Sequence, residues 1–297
     1  LPLWSPGSYA GFPFVADPQA AVFYPFRWLT IFASLPWGFS FYVLELEGIL
    51  HIWLAGLFTY LFAYDLLRQP AAALISAVVF GLGGYLTSYP LLQLSILETI
   101  TWLPLVLLLL RRSFAKRSVI NVRPLLLAAL VLGMAFTAGH PQTFLQMSYL
   151  ILAYAVFLAW QRGWAVGTVA KAGLLAGLVV PGASAAAWLP VLFYARTSSR
   201  AVVDYSFVAS GLPLEDFLQL FLPGAITFWT PVSVGTGSLL LLLLAWHGRS
   251  ALRGTEVGFW AGTAVVASIL SLGDKGYLFT ILHKLLPGLG LFRSQER

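Results

Sequence analysis

Apolar and polar positions in this chain do not alternate at the period of a half-buried strand or of a surface helix. The apolar residues come in long runs, broken only by short clusters of Arg, Lys, Gly and Pro. A helix that is hydrophobic all round is solvated by lipid or by other apolar helices, and about 20 such residues cross a hydrocarbon core. The runs predict membrane segments at residues 41–67, 70–91, 96–110, 125–139, 144–160, 172–194, 238–246 with its flanks, and 258–272. Several are short for a crossing, which predicts interrupted or half-length helices. Residues 27–40 are apolar but carry Pro36 and Gly38, and read as interfacial or re-entrant. Pro104 and Pro181 are expected to kink their spans. Gly81-x-Gly83-Gly84 and Gly173-x3-Gly177 follow no strand, so they suggest close helix packing rather than a nucleotide loop.

The predicted fold class is therefore all-α: a polytopic transmembrane helical bundle of about eight membrane segments plus interfacial or re-entrant helices. Helices crossing one bilayer form one unit, so residues 1–297 read as a single transmembrane domain. Within it lie an outer loop and interfacial segment (1–40), a six-helix region (41–194), an outer loop with an amphipathic helix (195–236), two helices (237–272) and an outer segment (273–297). Residues 1–19 read as a loop rather than a signal peptide. The first residue is Leu, and the chain stops soon after Phe292-Arg293, so a segment of something longer or a processed product is expected.

Composition agrees, with 59% hydrophobic residues, 9% charged residues and a mean hydropathy of +0.85. A soluble domain carries roughly a quarter charged residues. The absence of Cys excludes disulfides and thiolate metal sites. The net charge of +6 could suggest a nucleic-acid partner, but basic residues in short loops orient membrane helices, and no such partner is implied.

Distributed over the predicted loops, the charges separate. One side holds Arg68, Arg111, Arg112, Lys116, Arg117, Arg123, Arg162, Lys171, Arg249 and Arg253 against Asp65 and Glu256. The other holds Arg27, Arg196, Arg200, Lys275, Lys284, Arg293 and Arg297 against Asp17, Glu45, Glu47, Glu98, Asp204, Glu215, Asp216, Asp274 and Glu296. The positive-inside rule makes the first side cytoplasmic. The N-terminal loop, residues 89–98, the turn at 139–142, the 195–236 connection and the C-terminal segment then share the outer face. Any site is expected there.

Four constellations on that face could carry chemistry. Glu47 and His51 stand at i, i+4 and could hydrogen-bond or share a proton, although solvation at the headgroup level fits them equally; Glu45 reads as solvated. Gly139-His140-Pro141-Gln142 reads as a tight helix–helix turn, with His140 and Gln142 either capping it or facing a polar ligand. Arg196 and Arg200 run against the charge trend. They suit phosphate, which guanidinium grips bidentately, or pairing with Asp204 or lipid headgroups. Residues 213–222 read as an interfacial amphipathic helix with Leu214, Phe217, Leu218 and Phe221 on its apolar face, lying as a gate or strut. Aromatic residues including Trp4, Tyr9, Tyr24, Trp188, Tyr194 and Trp229 suit interfacial belts. The His residues are scattered without a ligand-spaced carboxylate cluster. No tight metal site is predicted, which leaves open only a divalent cation held loosely by outer carboxylates.

Read in order, several segments resemble the YfhO-type bacterial membrane protein family, which belongs with the GT-C glycosyltransferases. They are Leu1-Pro-Leu-Trp-Ser-Pro with Gly11-Phe-Pro; Asp17-Pro-Gln19 and Phe23-Tyr-Pro25; Trp102-Leu-Pro-Leu105; Gly139-His-Pro-Gln-Thr143; Trp188-Leu-Pro190 followed by Ser199-Arg200; and Leu286-Pro-Gly288 with Phe292-Arg293. The resemblance implies a multi-pass protein of a bacterial inner (cytoplasmic) membrane that moves a sugar from a polyprenyl-phosphate carrier to an extracytoplasmic acceptor. It implies a further helix and an acidic outer-loop motif, holding the catalytic base, before Leu1, and more helices after Arg293. Asp17 stands where the pattern implies Asn. On this reading Asp17 and Glu98 are candidates for acid/base work or acceptor binding. Arg196 and Arg200 would contact phosphate, and His140 and Gln142 would line the cavity mouth. Partners would be membrane lipids, the lipid-linked sugar and other membrane subunits, with no cofactor beyond the loosely held cation. The competing expectation is a non-catalytic subunit of such a fold, packed in a larger membrane complex. A transporter would call for paired charges near mid-membrane and repeated halves, which the sequence does not display.

Overall fold

A computed structural model of the chain describes residues 3–7, 10–115, 119–195, 205, 209, 211–222, 234, 238–239 and 255–289. Arg196 and Arg200 lie outside the described residues, as do Tyr9, Trp229 and all but the first two residues of the expected 238–246 span. Among the described residues the regular structure is helical, with one antiparallel bridge between Ser5 and Phe12. The helices are α1 (Pro25–Ser34), α2 (Phe41–Leu67), α3 (Pro70–Gly81), α4 (Tyr89–Leu92), α5 (Leu94–Ile100), α6 (Leu103–Ser113), α7 (Val122–Thr137), α8 (Pro141–Gln161), α9 (Val166–Ala195), α10 (Thr255–Ser271) and α11 (Leu278–Leu285).

Four of the described helical runs are long and apolar enough to cross a membrane: Phe41–Leu67, Leu94–Ser113, Pro141–Gln161 and Val166–Tyr194. The count of about eight is therefore reached only in part. Helix α3 has 12 residues, roughly 18 Å at the helical rise, against a core of about 30 Å. The expected 70–91 span ends at Gly81, where the glycine-rich stretch begins. Residues 94–113 form one run with its ladder interrupted at Thr101 and Trp102. Pro104, in the first turn of α6, has no N–H to offer the preceding turn, so it divides the span there.

The contacts divide the chain into two compact units: residues 1–82 with 90–196, and residues 83–89 with 197–297. In the first, α2 packs along α3 and α6, and α7 packs between α6 and α9. Small residues set the α2–α3 approach: a Cβ on Gly81 would lie 3.2 Å from Gly56 Cα. Gly173 and Gly177, expected to serve the same purpose, meet nothing within 4 Å on the outward-facing α9, whereas Gly133 of α7 lies against Ala183 and Val180. In the second unit, Leu212 N donates to Ser271 O and Asp274 N to Ala209 O, tying the chain to the end of α10. The expected amphipathic helix is there a short 3-10 turn, Leu214–Leu220, with Leu214, Leu218 and Phe221 exposed and Asp216 and Gln219 buried.

The N-terminal segment is more than a loop. Ala21 and Tyr24 are buried with Trp102, Ala135, Ala138 and Met147 in the core of the first unit. Tyr24, expected in an interfacial belt, has no exposed surface, because its hydroxyl finds partners inside. Such burial of a phenol is favourable only when the hydroxyl is bonded.

Candidate functional site: a sealed Arg–carboxylate node

Helix α2 buries Glu47, His51, Ala55 and Thr59 at four-residue intervals, one stripe of a mostly apolar helix. Glu47 lies six residues from the start of α2, about 9 Å along the axis, near one edge of the span rather than its middle. Glu98 stands on α5 with no exposed surface. Arg27, in the first turn of α1 behind Pro25, bridges the two. Its Nη2 donates to Glu98 Oε1 at 2.7 Å, and its Nε donates to Glu47 Oε1 at 3.3 Å. Both carboxylate side chains are 0% exposed and the Arg27 side chain 20%. Burial works against the guanidinium charge. The carboxylates of Glu98 and Glu47 outweigh it and hold the group above its ordinary pKa, so Arg27 stays ionised.

A second network adjoins the first. His51 Nδ1 lies 2.7 Å from the main-chain oxygen of Glu47, which can only accept, so Nδ1 carries the proton. His51 Nε2 is then an acceptor, and Tyr24 Oη, 2.6 Å away, donates to it. Tyr24 Oη in turn accepts from Trp102 Nε1 at 3.0 Å. The chain of bonds has one direction, Trp102 to Tyr24 to His51 to Glu47 O, and each group in it is satisfied. Burial, with the nearby Glu98 charge, pushes the Tyr24 phenol well above its usual range, so the hydroxyl keeps its proton. The i, i+4 spacing allows His51 to bond the Glu47 side chain, with headgroup solvation as the alternative; the bond goes instead to the Glu47 backbone, one helical turn back.

Glu47, His51 and Glu98 each offer one ligand atom, all within 4.8 Å of one another, which is the donor set for a cation and a cluster the sequence reading did not anticipate. As folded, Arg27 supplies the positive charge there and both His51 nitrogens are engaged, so the trio is an ion-pair node rather than a preformed metal cage. Two carboxylates still face one guanidinium. One oxygen of each, Glu47 Oε2 and Glu98 Oε2, is buried without a hydrogen bond.

The other expected residues that are described sit in two turns. Asp17 accepts from Gln19 N at 3.0 Å and caps the 3-10 turn Pro18–Ala20. His140 caps α8: its Nδ1 lies 3.2 Å from Thr143 N and 2.8 Å from Thr143 Oγ1, and Gln142 is buried in the same first turn. Gly139, at φ +97°, lets this turn press on the Asp17 segment, since a Cβ there would come within 2.0 Å of Pro18 O. The structure thus joins the 17–19 and 139–142 motifs to each other and Glu98 to Arg27. A hollow lined by Asp17, Pro18, Val22, Phe136, Thr137 and Ala187 has room for about one water.

Arg27 is the residue that sequence reasoning missed. It was a cation on the acid-rich side, the same anomaly that singled out Arg196 and Arg200. Comparison with known proteins adds nothing to this geometry: no protein-family model, curated protein or solved structure matches the chain.

Proposed function

We propose that the chain belongs to a multi-pass membrane protein of GT-C type, in a bacterial inner membrane, that transfers a sugar from a polyprenyl-phosphate carrier to an acceptor on the extracytoplasmic face. The observation that carries this reading is the Arg27–Glu98 contact at 2.7 Å, flanked by Glu47, at the acid-rich end of the spans. Sugar transfer from a lipid phosphate needs those two kinds of group: a carboxylate to take the acceptor hydroxyl's proton and a guanidinium to stabilise the departing phosphate. A bound lipid phosphate competes with Glu98 for Arg27. The carboxylate so released accepts the proton as the acceptor oxygen bonds to the anomeric carbon, the bond to phosphate breaks, and polyprenyl phosphate leaves. Asp17, His140 and Gln142 fix the two turns at 17–20 and 139–143, and the phosphate contacts that the family resemblance implies at Arg196 and Arg200 lie outside the described residues.

The test is turnover of polyprenyl-phosphate-linked sugars by the full-length protein. Glu98→Gln is expected to lower turnover by about 10²-fold or more, the scale of a lost general base, with Arg200→Ala also strongly impaired. Unchanged turnover in Glu98→Gln would remove Glu98 and the node from the reaction. A second reading, a non-catalytic integral membrane subunit, is favoured by one specific feature: Arg27 already ties up both carboxylates. No turnover with any lipid-linked sugar, together with co-purification in a larger membrane complex, would establish that alternative.

A further inference from the structure

The far end of the same two spans carries a second charge cluster, which the proposed reaction does not use. Asp65, in the last turn of α2, lies 3.1 Å from Arg111 Nε, 3.5 Å from Arg112 Nε and 3.7 Å from Arg68 Nη2. Asp65 lies closest to Arg111, and among the described residues no other carboxylate pairs with Arg68 or Arg112, so their two charges exceed what it neutralises. The surplus is accessible: the Arg68 side chain is 71% exposed and that of Arg112 53%. Leu61 and Tyr64, three residues apart on α2, are exposed, and Arg68 follows as the cap at the end of the same helix. An apolar, lipid-facing strip therefore runs directly into a cationic end.

We propose that this end binds an anionic phospholipid, its phosphodiester held by Arg68 and Arg112 and an acyl chain lying along Leu61 and Tyr64. Guanidinium groups suit phosphate because the planar fork presents two parallel donors to two oxygens. Asp65 aligns the three arginines without cancelling them. That balance selects the lipid by charge. A zwitterionic headgroup brings its own ammonium and gains little from a surplus of two cations, whereas an anionic one neutralises part of it. The proposal rests on the membrane reading of the chain and not on sugar transfer, so failure of the glycosyltransferase assay leaves it standing.

The experiment is native mass spectrometry of the full chain, released from nanodiscs containing phosphatidylglycerol, cardiolipin or phosphatidylcholine. Thermal unfolding in detergent with each added lipid accompanies it. Retention of phosphatidylglycerol or cardiolipin over phosphatidylcholine is expected, along with a higher unfolding temperature. Arg68→Asn should weaken that retention about five-fold, the worth of one cation near an anionic surface, and adding Arg112→Gln should weaken it further. Arg68 adopts φ +56°, a conformation that Asn tolerates well, so the single variant keeps the helix end intact. Equal retention of the three lipids, or unchanged retention in Arg68→Asn, would overturn the proposal. Stabilisation by inorganic phosphate equal to that by lipid would also overturn it, in favour of a free-phosphate site.

Discussion

At one end of the α2 and 94–113 pair, a single guanidinium faces two carboxylates that have no exposed surface; at the other, three guanidinium groups surround one carboxylate that remains 15% exposed. Glu47 and Asp65 are 18 residues apart on α2, about 27 Å along the helix, close to the thickness of a hydrocarbon core. The same two spans thus carry opposite charge imbalances at their two edges, and burial separates them. In the node the two carboxylates have lost their water and depend on Arg27, so removing it leaves them stranded. In the open cluster, solvent reaches Arg68 and Arg112, whose side chains are 71% and 53% exposed, and a surplus is tolerated.

The sharpest way to break this comparison is Arg27→Ala, which leaves Glu47 and Glu98 adjacent, buried and unpaired. A loss of roughly 3–5 kcal/mol in unfolding stability is expected, measured by thermal or denaturant unfolding in detergent, with partial recovery on adding Glu98→Gln. A loss below 1 kcal/mol would mean that the node is not sealed. Tyr24→Phe is next in size. It removes the hydroxyl that serves both His51 Nε2 and Trp102 Nε1, and a cost of about 1–3 kcal/mol follows from leaving buried polar groups unpaired. Trp102 fluorescence should change in that variant as the indole N–H loses its acceptor. The smallest effect belongs to the open end. Asp65→Asn is expected to cost about 1 kcal/mol or less, weakening further as salt is raised, because its partners remain partly solvated. An effect there as large as that of Arg27→Ala would erase the distinction between the two ends.

A related contrast divides the spans themselves. The residues 94–113 run is 72% buried in its most apolar stretch, while that of α9 is 6% buried, yet their mean hydropathies are equal at 1.7. Hydropathy measures compatibility with lipid and is blind to whether lipid or protein is the neighbour, since both are apolar. Position in the bundle therefore could not be read from composition. Nor does the end of α3 at Gly81 follow from the sequence, since apolar residues continue to 91 and the glycines there read as a packing motif. The break at Pro104, by contrast, follows from backbone chemistry that the sequence displays. The capping turn at 139–142 was legible for the same reason: Gly, then His, then Pro, is a local pattern whose bonds close within four residues.

The candidate site was legible only in pieces. Glu98 and the Glu47–His51 spacing stood out as ionisable groups in apolar runs, and Asp17, His140 and Gln142 as polar groups in turns. Arg27 did not stand out, although one cation on the acid-rich side needs a partner as much as two do. Its partners are 20 and 71 residues away in sequence. No local periodicity reports a contact of that separation. Tyr24 was misplaced for the same reason, because an aromatic residue beside a Pro looks alike at a membrane edge and in a packed core.

By itself the sequence determined the class: long apolar runs force helices, since an unpaired peptide group in lipid is too costly, and Gly, Pro and charged clusters mark where those helices stop. Only the tertiary structure decided which buried charges meet. Pairing Arg27 with Glu47 and Glu98, and threading Trp102, Tyr24 and His51 into one directed chain of hydrogen bonds, depends on three separate segments arriving at one point. Desolvation then makes that meeting obligatory, because each ionised group inside the bundle is stable there only beside its counterpart.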